Sequence, residues 1–586
     1  MRFSKFLTVL GTIFLVIIVI CIGVAVGVRV VRGRVPNRTI LEVNLEKGLI
    51  EDVPDDPMAK AMLSDRMIVR DVVDAIDRGA DDSRVVGMVA SIGSSNLGVA
   101  EAQEIRDAVL RFRARKKFAV AFSETFGEAG PGQTAYYLAT AFDQIYLQPS
   151  GDIGLTGIMW ENSFLKGTLS KLGMQFHGDH RYEYKSALNR YTETKFTPAH
   201  REENERVITS WYGQELRGIA EARHLTQDEV RTLVDRGPFL GKEALAARLV
   251  DGMAYRDEVY DQVKKKGGPG TELLYLSKYL ERAERPHNKG QTIALIYGVG
   301  AVTRGKSGYD PIFGGANMGS DTVAAAFRAA VDDKDVKAII FRIDSPGGSY
   351  VASDTIWREV MKAKKAGKPV IATMGDLAGS GGYFVAMAAD KIVAQPGTIT
   401  ASIGVLSGKL LTSGFWNKVG LSWDEVHAGA NASIWTGLQD YTPAEWQRFQ
   451  AWLDRIYVDF TGKVADGRKL PLPKVLEVAK GRIWTGEDAK NLGLVDELGG
   501  FDQAIKLAKK AANIPETEEV NIKRFPKEKS FVEALLSRKP DNSERETSDA
   551  LVQTLRVIQP VASQIKMALP AGNNDVLRMP EVASEP

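Results

Sequence analysis

The chain of 586 residues is too long for a single hydrophobic core, so its length predicts about three structural units. Hydrophobic residues make up 44% of the sequence and charged residues 26%, as in ordinary globular proteins, and the net charge is only +2. This balance gives no general argument for nucleic-acid binding, and we find no basic stripe with interleaved aromatic residues. The single cysteine, Cys21, excludes disulfides within the chain and a thiolate metal cluster.

The first predicted element is a membrane anchor. After a short N-terminal segment (residues 1–5), Phe6–Val28 runs for 23 residues without a charged side chain, which is long enough to span a bilayer. The apolar core of a signal peptide usually has only about 7–15 residues, so we expect an uncleaved transmembrane helix. Arginine and lysine lie on both sides of this run, so the charges do not decide its orientation.

The rest of the chain contains two copies of one unit. Three segments recur in the same order: Asp81–Ile92 as Asp332–Ile343, Tyr136–Ile145 as Tyr383–Ile392, and Gly241–Asp251 as Gly486–Asp496. The repeats predict an N-terminal unit over residues 38–262 and a C-terminal unit over residues 291–515. Residues 263–290 are expected to form a linker with some helix, and residues 516–586 a polar, partly disordered tail.

Each copy is predicted to be a layered α/β domain. In the second copy, strands are expected at Thr292–Tyr297, Val336–Ile343, Pro369–Met374 and Ile392–Ala394, with helices at Thr322–Ala330, Asp354–Lys365 and Gly382–Ala389. This alternation indicates βαβ units and a mainly parallel sheet.

A glycine-flanked serine distinguishes the second copy from the first. Ser380 lies in the sequence Ala-Gly-Ser-Gly-Gly-Tyr, where a strand is expected to turn into a helix, and Gln133 takes its place in the first copy. Such a turn exposes the hydroxyl to a substrate, and the N–H groups at the helix start favour negative charge. A residue needed once for chemistry need not recur, so Ser380 is a candidate nucleophile. The alternative is a capping serine in a glycine-rich turn.

A second glycine-rich stretch follows the strand that ends near Ile343. It reads Asp-Ser-Pro-Gly-Gly over residues 344–348, and the first copy lacks its Pro-Gly-Gly. Consecutive glycines allow close backbone approach and positive φ angles, so their N–H groups can point at an anion.

The residues alone leave the base for Ser380 open. The chain has six histidines, and no motif connects any of them with the serine. A lysine can replace histidine when burial removes its charge. Lys185, in Tyr-Lys-Ser-Ala, has no counterpart in the second copy, although an isolated lysine is ordinarily a solvated surface residue.

Together these motifs resemble the long form of the signal peptide peptidase A family, also called protease IV. This is a Ser–Lys peptidase family with a Clp/crotonase-type fold, and the resemblance extends from the anchor to about residue 515. It implies that Ser380 is the nucleophile, that Lys185 is the general base, and that Ser402, 22 residues after the nucleophile, orients the lysine. The oxyanion is expected to bind the N–H of Gly381 and an N–H of Gly347 or Gly348.

The same resemblance implies a membrane-anchored serine endopeptidase that degrades cleaved remnant signal peptides. It further implies a homotetramer in the bacterial inner membrane, crossing the bilayer once through Phe6–Val28, with its bulk in the periplasm. We expect no cofactor, because the sequence contains neither a metal-ligand cluster nor a phosphate-binding P-loop. Two alternatives are a crotonase-like acyl-CoA enzyme, which would use similar glycine N–H groups without a nucleophilic serine, and a non-catalytic membrane scaffold.

Overall fold

The computed structural model describes residues 33–93, 97–310, 315–526 and 577–579. The predicted anchor Phe6–Val28 lies outside these residues. Among the helices that are described, none is both long and apolar enough to cross a membrane.

The first unit has a six-stranded parallel sheet. The strands of this unit are β1 (Thr39–Asn44), β2 (Leu49–Ile50), β3 (Met67–Ile68), β4 (Val85–Ser91), β5 (Phe118–Ser123), β6 (Gln144–Leu147), β7 (Asp152–Ile153), β8 (Gln175–His180), β9 (Phe239–Leu240), β10 (Gly252–Met253) and β11 (Glu272–Tyr275). Its helices are α1 (Pro57–Met62), α2 (Val69–Asp81), α3 (Val99–Ala114), α4 (Gln133–Ala139), α5 (Lys166–Leu172), α6 (Asn189–Thr192), α7 (Pro198–Arg223), α8 (Gln227–Val234), α9 (Gly241–Ala246), α10 (Arg256–Gly267) and α11 (Leu276–Ala283).

The second unit repeats this topology with additions. Its strands are β12 (Gln291–Val299), β13 (Ala301–Thr303), β14 (Gly308–Tyr309), β15 (Ala316–Gly319), β16 (Val336–Ser345), β17 (Gly347–Gly348), β18 (Val370–Gly379), β19 (Lys391–Ala394), β20 (Ile399–Ala401), β21 (Leu406–Leu411), β22 (Ile483–Thr485), β23 (Glu497–Leu498), β24 (Val520–Phe525) and β25 (Leu577–Arg578). Its helices are α12 (Ser320–Asp332), α13 (Tyr350–Lys365), α14 (Gly381–Ala386), α15 (Ser413–Lys418), α16 (Pro443–Arg468), α17 (Leu472–Val478), α18 (Gly486–Asn491) and α19 (Phe501–Ala511).

The strands of the first sheet lie in the order β10-β6-β5-β4-β1-β11, and those of the second in the order β23-β19-β18-β16-β12-β24. The two orders match strand for strand, and all neighbours in the second sheet are parallel. Alternate residues of β12 enter different cores: Ile293 packs with Phe501 of α19, while Ile296 packs with Phe327 of α12. Both faces of the sheet are therefore covered, which explains the nearly continuous apolar strands. The chain is a tandem repeat of α/β units, and the strands and helices predicted for the second copy are all present.

Two predicted boundaries are corrected by the edge strands. Residues 263–290, expected to be a linker, include the end of α10, the strand β11 and the helix α11, and β11 pairs with β1. Residues 516–526, assigned to the tail, include β24, which pairs with β12 in the equivalent position. Each sheet therefore ends in a strand that was predicted to lie outside its unit. A further segment of the predicted tail, β25, pairs with β17.

The two units are joined by a buried ion pair and by one shared ribbon. Arg342, on β16, pairs with Glu104 of the first unit at 2.8 Å and also with Glu51, and all three side chains are at most 5% exposed. The strand β8 of the first unit pairs antiparallel with β21 of the second, from Gln175 with Leu411 to His180 with Leu406. This ribbon carries the chain that follows β8 into the second unit.

Candidate active site

Ser380 occupies a strained turn between β18 and α14. Its φ of +54° and ψ of −112° are unusual for a residue with a side chain, and such strain is a common feature of functional sites. Its N–H donates to the carbonyl of Ala401 at 2.7 Å, which fixes the turn against β20. The neighbouring glycines are needed for close packing, since a Cβ on Gly381 would lie 2.8 Å from Ser353 Oγ and one on Gly382 would lie 2.6 Å from Ser345 O.

Lys185 reaches this turn because the shared ribbon ends just before it. The N–H of Arg181 donates to Val405 O at 2.8 Å, and the N–H of Tyr184 donates to Lys480 O at 3.2 Å. Gly481 has a φ of +83°, and a Cβ there would lie 2.5 Å from Lys185 N. The backbone around Lys185 is thus seated directly on the second unit.

The lysine side chain is completely buried and ends between two serines. Lys185 Nζ lies 2.8 Å from Ser380 Oγ, 2.9 Å from Ser402 Oγ and 2.8 Å from Ser402 O. Ser402 Oγ can in turn donate to Gly481 O at 3.2 Å. The structure therefore brings the three predicted residues together within one chain, and the arrangement suits a neutral amine. Two N–H bonds would point at Ser402, and the lone pair would accept the Ser380 hydroxyl proton.

Burial determines the electrostatics of this lysine. Desolvation lowers the pKa of Lys185 well below its ordinary value, although the nearby Glu203 carboxylate opposes the shift. Burial also raises the pKa of Glu203 to about 8, against hydrogen bonds from Ser186 Oγ and Ile483 N–H. Since a protonated Glu203 carries no charge, it leaves the desolvation of Lys185 uncompensated near neutral pH.

The predicted oxyanion glycines differ in the partners and the position of their N–H groups. The N–H of Gly347 donates to Ser345 Oγ at 3.2 Å, and this hydroxyl donates to Gly300 O at 2.7 Å. Gly348 N lies close to Gly381, the first residue of α14, since a Cβ built on Gly381 would be 3.0 Å from it. The geometry favours Gly348 and Gly381 over Gly347 as a pair of N–H donors.

Comparison with known proteins identifies the family. The model of Peptidase family S49 matches residues 112–268 and 362–515, which is more than half of the chain and one segment in each unit. Protease 4 of Salmonella typhi is 31% identical over 514 residues, covering 85% of this chain and 78% of that protein. The chain belongs to Peptidase family S49. It is a serine peptidase.

Two further relatives of this S49 peptidase also match along most of its length. The chloroplastic serine protease SPPA of Arabidopsis thaliana is 30% identical over 469 residues, covering 78% of this chain and 68% of the relative. Protease 4 of Haemophilus influenzae is 31% identical over 462 residues, covering 76% and 73%. The resemblance inferred from the motifs is confirmed, and the acyl-CoA enzyme and the non-catalytic scaffold are not supported.

In the first unit of the S49 peptidase, Gln133 occupies the position equivalent to Ser380, and its side chain belongs to a buried polar network. Gln133 Nε2 donates to Glu215 Oε2 at 2.8 Å, and Thr134 Oγ1 donates to Glu215 Oε1 at 2.8 Å. The remaining oxygen of Gln133 accepts from the N–H of Gly157 at 2.9 Å. This first turn therefore has a structural role in which every polar group of the glutamine side chain is used.

Several residues of the site region were missed by the sequence reasoning. Glu203, on α7, and Gly481, in the other unit, gave no local signal, because neither is a sequence neighbour of Lys185. Arg342 did give one: a charge inside the apolar run of β16 is typical of a buried ion pair. Beside that pair, burial raises the pKa of Asp376 to about 6, and its Oδ1 accepts from the N–H of Glu101 at 3.0 Å. Among the described residues, no group of His, Cys, Asp and Glu could hold a metal ion.

Proposed function

We propose that this S49 peptidase hydrolyses peptide bonds with Ser380 as nucleophile and Lys185 as general base. The observation that carries the proposal is the 2.8 Å separation of Lys185 Nζ and Ser380 Oγ in a fully buried setting. A general base must lie within hydrogen-bond reach of the proton that it removes, and it must be neutral at the working pH. Burial favours the neutral form, because desolvation lowers the pKa of Lys185 well below its ordinary value.

The reaction would follow the acyl-enzyme route. Lys185 takes the hydroxyl proton as Ser380 Oγ attacks the carbonyl, and the resulting ammonium returns the proton to the leaving amine. Water then hydrolyses the ester on Ser380 with the same lysine as base. The negative oxygen of each tetrahedral intermediate would accept from the N–H groups of Gly348 and Gly381, and Ser402 would hold the lysine amine in line.

The proposed substrates are remnant signal peptides, bound in an extended conformation. Support comes from a buried apolar cluster to which both units contribute, and which includes Met579 next to Gly379 of the serine turn: Val99, Trp160, Trp211, Ile399 and Ile483. Such a wall suits apolar peptide segments better than charged ones. We further propose a Clp/crotonase-type fold for each unit, anchoring in the bacterial inner membrane by Phe6–Val28, a periplasmic body and a homotetramer, all on the family resemblance.

The dyad is tested with matched variants. Ser380→Ala and Lys185→Met should each abolish hydrolysis of a quenched fluorescent peptide with an apolar core, and Ser380→Ala should also prevent labelling by a fluorophosphonate. Ser433→Ala and Lys409→Met are the controls, since both residues are buried but bond elsewhere, Ser433 to Glu445 and Lys409 to Ile434 O. Full activity in either dyad variant would refute the assignment of that residue.

The substrate class needs a separate measurement. The value of kcat/KM for a peptide with an apolar core is compared with that for a peptide of equal length in which polar residues replace the core. A preference for the polar peptide would contradict the proposed substrates while leaving the dyad intact.

A further inference from the structure

A short strand from the C-terminal part of the chain lies along the glycine strand of the site. β25 pairs antiparallel with β17, with Arg578 opposite Gly347 and Leu577 opposite Gly348. The N–H of Met579 donates to Pro346 O at 2.9 Å. This segment lies in the region that the sequence predicts to be a polar, partly disordered tail. Its position beside Ser380 was therefore not predicted.

The register of this pairing determines which groups meet. In an antiparallel ladder, hydrogen-bonded residue pairs recur at every second residue of each strand. Met579 is bonded to Pro346, so the next bonded pair is Gly348 with Leu577. In this pair the N–H of Gly348 donates to the carbonyl of Leu577. The N–H group proposed to hold the oxyanion therefore faces a peptide carbonyl of the chain itself.

The side chain of Met579 closes the other side of the turn. It is only 1% exposed, and a Cβ built on Gly379, the residue before Ser380, would lie 2.2 Å from Met579 Sδ. Met579 also belongs to the apolar cluster in which Val99, Trp160 and Trp211 come from the first unit and Ile399 and Ile483 from the second. An unbranched, adaptable side chain is well suited to such an irregular pocket.

Backbone pairing along an exposed edge, with one side chain in a pocket, is how many proteins bind an extended peptide. We propose that the segment Leu577–Met579 is a resident competitor that occupies the substrate strand of the site and must leave before a substrate can bind. This proposal rests on the proposed function of Ser380 and Lys185. It also assigns the Met579 pocket as a side-chain subsite that prefers unbranched apolar residues.

The tether explains how so short a segment can compete. A ligand joined to its own site by a chain acts at an effective concentration that can reach the millimolar range. A competitor bound about nine-tenths of the time would raise the apparent KM about 10-fold without changing kcat. Removing its anchor should therefore raise kcat/KM by that factor through KM alone.

The experiment uses the full-length protein and the variant Met579→Asp, which places a charge in the apolar pocket. Leu577→Pro is the second variant, because it deletes a strand N–H without touching the pocket. Met361→Asp is the matched control, since Met361 is 40% exposed on α13. We measure kcat and KM for a fluorogenic peptide, the rate of fluorophosphonate labelling, and inhibition by a synthetic peptide of residues 573–583.

Both tail variants should show a KM about 10-fold lower at unchanged kcat, together with faster labelling, while Met361→Asp matches wild type. The synthetic peptide should inhibit competitively, and about 10-fold more strongly in Met579→Asp than in wild type, where the cleft is already filled. An unchanged KM in folded Leu577→Pro, or no inhibition by the peptide, overturns the proposal. Cleavage of the tail in wild type but not in Ser380→Ala also overturns the proposal, because the segment would then be a substrate. Absence of labelling in every protein would instead count against the proposed function of Ser380.

Discussion

Replacing Gly481 by alanine tests how the second unit holds Lys185, the proposed general base. A Cβ at this position would lie 2.5 Å from Lys185 Cβ and Lys185 N, whereas an ordinary contact needs at least 3.4 Å. Since protein interiors are closely packed, the Lys185 backbone must move by roughly 0.9 Å, the difference between the two distances. A misplacement of about 1 Å can lower the rate about 100-fold, so we expect kcat/KM to fall by that factor, equivalent to about 2.7 kcal/mol.

The effect of the contact must be separated from that of backbone strain. Gly481 has a φ of +83°, and a side chain in this left-handed region destabilises the fold by about 1–2 kcal/mol whatever its surroundings. Gly367 is the matched control, because its φ is +78° and a Cβ there would meet no atom within 4 Å. Gly367→Ala should lower the melting temperature but keep kcat/KM near that of wild type. If both variants melt alike and hydrolyse the peptide equally well, the reasoning is refuted.

Three further predictions concern buried charges. Lys185→Met should raise the melting temperature most at acid pH and least near pH 10.5, the ordinary pKa of lysine, because the unfolded wild type binds a proton that the buried lysine does not. Glu203→Gln should gain stability over wild type as the pH rises from 4.5 to about 8, the ordinary and the raised pKa of Glu203, since in this window only the folded wild type keeps the proton. The gain is at most about 1.4 kcal/mol per pH unit, read from melting curves, and a constant difference between the two proteins would contradict it. Arg342→Met should destabilise the fold by about 3–5 kcal/mol in chemical denaturation, because it leaves Glu51 and Glu104 buried without their partner; no measurable loss would show that they do not depend on it.

The central strands and the serine turn could be predicted because their signals are local. β16 and β18 have long apolar runs, and the repeat compares Ser380 directly with Gln133. The edge strands β11 and β24 could not be found in this way, since β11 has only four residues and Asn521, Lys523 and Arg524 interrupt the apolar residues of β24. Thr39 pairs with Glu272, and Gln291 pairs with Val520, in both cases more than 200 residues away along the chain. Edge strands of this kind form because a distant partner strand is already in place.

The lysine shows the same limit at the level of chemistry. Its own neighbours in the sequence indicate an exposed side chain, yet it is fully buried. The cause is the pairing of β8 with β21, followed by backbone bonds to Val405 and Lys480 in the other unit. A low pKa of this kind is a property of the assembled pair of units, and in the sequence only the absence of Lys185 from the second copy and the family resemblance pointed to it.

Because the proposed dyad is divided between the units, the contact between them would be part of the catalytic machinery. The first unit offers Lys185, but Gln133 and Glu215 fill the place of a nucleophile. The second unit offers Ser380, but Ala432 aligns with Lys185, and the neighbouring Ser433 donates its hydroxyl to Glu445 at 2.8 Å. Neither unit therefore holds both groups. Any change that separates β8 from β21 removes the base from the serine while leaving each sheet intact, so activity should be lost before either unit unfolds.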